Sequence, residues 1–179
     1  ETRSLDFPGV SIDVVTTRQY LYGEMMAHLI GYVGEISRAE LEKHDPNDYE
    51  AGDIIGKYGI ERFFDSYLKG QSGADEVEVN AHGKKIRSLR KIEPAQGYNL
   101  HLTIDAALQQ TAWDAFEGRP GAAAAMDTRT GEILALVSSP SFDPNLFNGG
   151  ISHQEWKKIS SNPFHPMEDR AISGQYPPG

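Results

Sequence analysis

The chain is 179 residues long, room for one large domain or two small ones. Its 17 Lys and Arg against 26 Asp and Glu leave a formal charge of −9, which argues against a nucleic-acid binder, whose affinity comes from clustered cations. Apolar residues make up 39% and 18 glycines add to them, an ordinary globular share, while zero Cys removes disulfides, thiolate metal sites and a cysteine nucleophile.

Residues 9–20 alternate Val10, Ile12 and Val14 against Ser11, Asp13 and Val15, the pattern of a half-buried strand. Residues 24–33 carry Met25, Met26, Leu29, Ile30 and Val33 at helical spacing. Ser37 and Glu40 form a capping box that opens a short helix over 38–44, and 44–52 is a loop. Over 59–68, Ile60, Phe63, Phe64, Tyr67 and Leu68 make one apolar helix face, with Gly70 placed as a left-handed cap. Residues 76–80 alternate with Val77 and Val79 inward, turn at Ala81-His82-Gly83, and return over 84–92 as a hairpin.

The stretch 94–97 marks a boundary between a first domain, 1–97, and a second, 98–179. Leu100, Leu102 and Ile104 alternate as a strand running into Asp105, an N-cap for a helix over 106–116 with Leu108, Ala112, Ala115 and Phe116 inward. Residues 122–126 and 132–137 pair as a hairpin, and Ser152 with Glu155 caps a helix ending near Ser160. The tail, 162–179, holds four prolines and reads as irregular. The fold class is α+β. No window reaches the roughly 18 to 20 apolar residues of a membrane helix, and a start at Glu1 without a leader reads as an internal fragment.

Several short motifs lack their context. Residues 52–58 imitate a phosphate loop, but the glycines stand one residue too close and Tyr58 replaces the magnesium-binding hydroxyl. No two of the six histidines share the i, i+4 spacing of a helical zinc site, and Asp45, Asn47 and Asp48 lack the later Gly and Glu of a calcium loop. No metal or cofactor is expected. His28, inside an apolar helix, is the best candidate for a buried, pH-sensing histidine. Ser66 to Lys69 and Ser88 to Lys91 match Ser-x-x-Lys, where a lysine one turn away can take a serine's proton. Both read as chance, one at a fraying helix end and the other in a strand that sends the two side chains to opposite faces.

Longer stretches resemble one family. Arg18-Gln19-Tyr20 with Ala27 to Gly34, Gly56 to Phe64 with Leu68, Gly70 and Gly73, Asn99 to Gln110, Ala124 to Asn145, and Arg170-Ala171 to Tyr176-Pro177-Pro178-Gly179 resemble, in order, the class B penicillin-binding proteins, serine transpeptidases of peptidoglycan. Asp143 to Phe147 and Val77 to Asn80 look most like the elongation branch, penicillin-binding protein 2, with the septal paralogue as the near alternative. Leu21 departs from the Pro that many relatives carry there.

The resemblance implies a non-catalytic, dimerisation-type pedestal over 1–97 and, over 98–179, the incomplete N-terminal portion of a β-lactamase/transpeptidase-like domain. It implies no catalytic residue in this chain, because the nucleophile of the Ser-x-x-Lys helix comes directly after Gly179, so these residues alone should not capture a β-lactam. Arg18, Tyr20, Gly59, Glu61, Gly70 and Gly73 are then a structural pedestal motif. Arg18 and Glu61 sit beside apolar positions where a lone charge is costly, so they are expected to pair, bidentate and partly buried; an exposed Arg and Glu is the alternative. Tyr20, Tyr22, Met25 and Met26 are a possible partner-binding set, since adaptable Met with aromatic rings suits a groove, or else core. The stretch after residue 97 should not close its own sheet, giving fast, uniform amide exchange over 122–137. Implied partners are peptidoglycan stem peptides and β-lactams, a SEDS-type glycan polymerase and an MreC-type scaffold protein. The implied location is the periplasm, with an inner-membrane anchor upstream of Glu1.

Overall fold

The structure, a computed structural model, describes residues 17–46, 48–82 and 85–175. The strand expected over 9–20 lies outside them up to Thr16, and residues 17–20 have no regular structure. A 3-10 turn, Gly23–Met26, runs into helix α1, Ala27–Ile30, which ends at Gly31 with φ 83°. A Cβ on Gly31 would stand 1.8 Å from the Tyr58 carbonyl oxygen, so only glycine lets these backbones meet. The expected helix therefore stops before Val33, which opens strand β1, Val33–Glu35, paired antiparallel with β2, Ile54–Gly56. Residues 54–56 show no strand pattern in the sequence because three residues are too few to display alternation.

Helix α2, Arg38–Leu41, carries the full capping box, with the Ser37 side chain accepting from Glu40 N and the Glu40 carboxylate accepting from Ser37 N. The single helix expected over 59–68 is two, α3, Gly59–Phe63, and α4, Asp65–Leu68. The break at Phe64 (φ −107°, ψ 22°) has a cause in the next residue. Asp65 turns inward and accepts hydrogen bonds from Gly56 N at 2.7 Å and the Tyr49 hydroxyl at 2.5 Å. Phe63 is left 81% exposed instead of joining one apolar face.

Gly70 is not a left-handed cap. Lys69 ends α4 in extended conformation, and a Cβ on Gly70 would lie 2.2 Å from the Ala95 carbonyl oxygen. Close approach is also what Gly73 provides, 2.7 Å from the Ile92 oxygen on the same test. The two glycines flank the base of a ribbon, where Gln71 and Ala95 exchange backbone hydrogen bonds of 2.8 and 3.0 Å. The ribbon is β3, Ala74–Val79, against β4, Lys85–Ile92, and two register shifts spoil its alternation. Val77 and Val79, expected inward, are exposed.

Residues 98–104 form no strand. They run beside residues 133–134, where Thr103 Oγ1 donates to Ile133 O at 2.6 Å and Asp105 N to Leu134 O at 2.9 Å. Asp105 caps α5, Ala106–Asp114, accepting from Ala107 N and Leu108 N. The inward face of α5 is led by Gln109, fully buried, while Leu108 and Ala115 are exposed. Strands β5, Gly121–Met126, and β6, Ile133–Ser139, pair antiparallel. A 3-10 turn, Pro144–Phe147, and α6, His153–Ser160, with its Ser152–Glu155 capping box, follow. The tail is not wholly irregular: Asp169 caps a short α7, Arg170–Ser173. Among the described residues the strands make three separate two-stranded sheets.

The larger apolar cluster draws on both sides of residue 97: Ala27 and Tyr32 pack with Phe142, Phe147, Ile159 and Met167. A smaller one joins Ile36, Tyr49 and Ile55 with Leu41.

Candidate functional site

Two places stand out, a joint where the first segment meets the rest, and the approach formed by β6 and α7. At the joint, Gly59 opens α3 at φ 59°, and a Cβ there would lie 2.7 Å from Leu29 O. That close seating turns Glu61, two residues on, inward. Arg18 Nε donates to Glu61 Oε1 at 2.8 Å and Nη2 to Oε2 at 3.1 Å, so the expected bidentate pair forms. It borders a cavity of about 220 Å³ lined also by Val33, Ile54, Asp65 and Lys69.

Tyr20 is buried, and its hydroxyl has no partner among the described residues. Burial first, then the Glu61 charge, pushes the phenol well above its ordinary pKa. From the other side, the Asn145 amide holds both backbone groups of Tyr20: Tyr20 N donates to Oδ1 at 2.9 Å and Nδ2 donates to Tyr20 O at 3.1 Å. Asn148 Nδ2 donates to Arg18 O at 2.6 Å. The sequence carries no local signal for either contact.

Met25 and Met26 are buried along with Tyr20, so the packing alternative holds for all three. Only Tyr22 of that set is half exposed, beside the exposed Leu21. They drop out of a partner surface because the 3-10 turn points both methionines into the molecule.

The approach is built on Ser138 of β6. Its hydroxyl donates to Glu168 O at 3.2 Å and accepts from Arg170 N at 2.9 Å. The buried Arg170 guanidinium spans carbonyls of the preceding loop, donating to Phe164 O at 2.5 Å and His165 O at 3.4 Å. Gln109, which sequence reasoning missed, secures the other side of β6. Its Nε2 donates to Met25 O at 2.8 Å and Leu136 O at 2.9 Å, and its Oε1 accepts from Leu136 N at 2.8 Å. Its one signal was a polar residue one turn after the N-cap, on the face that had to be inward.

His28 stands behind the approach, its ring edge-on to Phe142 at 5.4 Å, with both ring nitrogens unpaired among the described residues. Burial lowers its pKa, so the ring is neutral at pH 7.

Neither Ser-x-x-Lys match assembles. Lys69 donates to Asp53 Oδ2 at 2.9 Å and to Asp48 O, and lies 3.6 Å over the Tyr49 ring. The Ser88 hydroxyl donates to Asp75 at 2.8 Å. Among the described residues no group of His, Asp and Glu gathers as a metal site, and no helix is long and apolar enough to cross a membrane.

Residues on the two sides of 97 share one apolar cluster and are joined by side-chain hydrogen bonds, and the same two-part order is found in known proteins. Residues 1–102 match the penicillin-binding protein dimerisation domain and residues 121–179 the penicillin-binding protein transpeptidase domain, and the chain belongs to the class B penicillin-binding proteins. Within that family it resembles penicillin-binding protein 2. It is 46% identical over 97% of its length to the Acinetobacter baumannii protein named peptidoglycan D,D-transpeptidase MrdA, of which it covers 26%. Pseudomonas aeruginosa PBP2, solved in complex with WCK 5153, superposes with a TM-score of 0.76 at 39% identity, over 91% of this chain and 32% of that one. Helicobacter pylori PBP2, in a structure of its complex with MreC, gives 0.76 at 34% identity, over 86% of this chain and 29% of that one. The chain spans about a quarter of the curated relatives' length.

Proposed function

We propose that these residues are the pedestal, 1–97, and the opening part of the catalytic domain, 98–179, of a peptidoglycan D,D-transpeptidase acting in cell-wall elongation. The observation that carries this reading is the match over nearly the whole chain, in family order, to proteins named for that activity. The whole protein would work through a serine acyl-enzyme. The serine Oγ attacks the penultimate D-Ala carbonyl of a stem peptide and the terminal D-Ala leaves with a proton. The amine of a second stem peptide then attacks the ester and frees the serine. By the resemblance, that serine follows the Tyr176 to Gly179 stretch.

The part played by these residues is support. Arg18, Tyr20, Gly59, Glu61, Gly70 and Gly73 hold the pedestal in shape, while Ser138, Asp169 and Arg170 lead the chain toward the nucleophile. An MreC-type scaffold is the partner we favour for the pedestal, because a relative with this fold is named in complex with MreC. A SEDS-type glycan polymerase, a periplasmic location and an anchor upstream of Glu1 complete the reading.

Labelling with a fluorescent penicillin tests it. The whole protein should take up label covalently and these 179 residues alone should not. An unlabelled whole protein, or a labelled 179-residue chain, overturns the reading.

A further inference from the structure

The Gln109 amide is fully buried and does three things at once. It supplies Leu136 of β6 with a donor and an acceptor, as a neighbouring strand would, and it takes the Met25 carbonyl of the 3-10 turn. Two residues further along β6, about 6.6 Å on, Ser138 holds Arg170 N and Glu168 O. Arg170 N is the first amide of α7, and the next two are held by Asp169. An unbroken line of hydrogen bonds and one strand thus runs from Met25 through Gln109, Leu136 and Ser138 to α7. A strand in a ladder moves as a unit, so the register Gln109 imposes at Leu136 is felt at Ser138.

We propose that Gln109 is a positioning residue for the reacting serine: it sets β6, and through Ser138 sets α7, the segment that aims the chain at the nucleophile. This rests on the transpeptidase reading for its catalytic consequence, but not for its structural one. A buried amide that only filled space could be replaced by an apolar side chain of like shape with local effects alone. A positioning amide could not, because Leu136 would lose both partners and Ser138 its reference.

The test uses the whole protein with Gln109→Met, Ser138→Ala and the double variant, and it has two readouts. In acylation by penicillin, each single variant should slow the covalent step at least tenfold while non-covalent affinity stays within twofold. The double variant should be no slower than the slower single one, since both cut the same line. In hydrogen exchange, Gln109→Met should speed the Arg170, Ala171 and Ile172 amides at least tenfold and leave the remote α2 amides unchanged. Should Gln109→Met fail to fold, Gln109→Glu, which keeps the acceptor for Leu136 N and loses the amide donors, must give the same pattern. Unchanged exchange in α7 with Leu136 released overturns the proposal, and so do multiplying acylation effects. An unlabelled wild type sinks the transpeptidase reading instead, and the exchange arm still decides for or against Gln109.

Discussion

The Arg18–Glu61 pair is lopsided: the carboxylate side chain is 7% exposed and the guanidinium 43%. Cutting it from either end is therefore not equivalent. Arg18→Ala leaves a buried carboxylate with no cation, whereas Glu61→Gln leaves an arginine that water can reach. Arg18→Ala should cost about 2 kcal/mol at pH 7, below the ~3–5 kcal/mol of a fully enclosed pair because water screens one partner. Glu61→Gln should cost about half that. Urea midpoints for both variants at pH 7 check this; equal losses from the two ends would count against it.

Glu40 carries a pH dependence of its own. The Lys57 ammonium first, 2.5 Å from its carboxylate, and then the Ser37 hydroxyl hold its pKa down to about 2. A depressed folded pKa gives stability that is whole above the ordinary carboxylate range and is lost as pH falls toward about 2. The contribution is small, since the Glu40 side chain is 36% exposed. An NMR titration of the Glu40 carboxyl should show the low midpoint, and Lys57→Met should raise it toward the ordinary range.

Among the elements, those specified within one turn were legible in the sequence. Both capping boxes form because their partners stand three residues apart. The break between α3 and α4 was illegible because Asp65 answers to Gly56 and Tyr49, 9 and 16 residues away, and a tertiary hydrogen bond overrode a continuous apolar face. Arg18 and Glu61 could be paired from sequence by the cost of a lone charge among apolar neighbours. Asn145 and Gln109 could not, because an amide side chain carries no charge to balance and their partners lie 125 and 84 residues away. Gly70 was found for the wrong reason, and that difference is testable. A left-handed cap tolerates Asn, but a glycine required by close approach does not. Gly70→Asn should therefore destabilise by about 2 kcal/mol or more, as badly as Gly70→Ala, because either Cβ runs into the Ala95 carbonyl. Thermal melts of the two variants decide, and an Asn variant close to wild type would restore the cap.

At the scale of the whole molecule, the chain divides at 94–97 in sequence, but its core does not divide there. Ala27 and Tyr32 share a cluster with Phe142 and Phe147, and three amide side chains stitch residues before 97 to residues after it. This changes what is expected of the β5–β6 sheet. The outer edge of β6 is covered by Thr103, Asp105 and Gln109 without any strand. Leu136 gives its backbone groups to Gln109, so Ala124, opposite it, points its own groups away from β6, as does Ala122 opposite Ser138. Among the described residues nothing pairs with them. Exchange in the 179-residue chain should therefore alternate instead of being uniformly fast: Ala122 and Ala124 quick, Ala123, Ala125 and Leu136 slow. An unpaired strand edge of small apolar residues invites pairing, and by the family resemblance a strand from the rest of the whole protein would lie there. In the whole protein Ala122 and Ala124 should then slow to the rate of their neighbours. If they are already slow in the shorter chain, or stay fast in the longer one, β5 is not the edge along which the catalytic sheet grows.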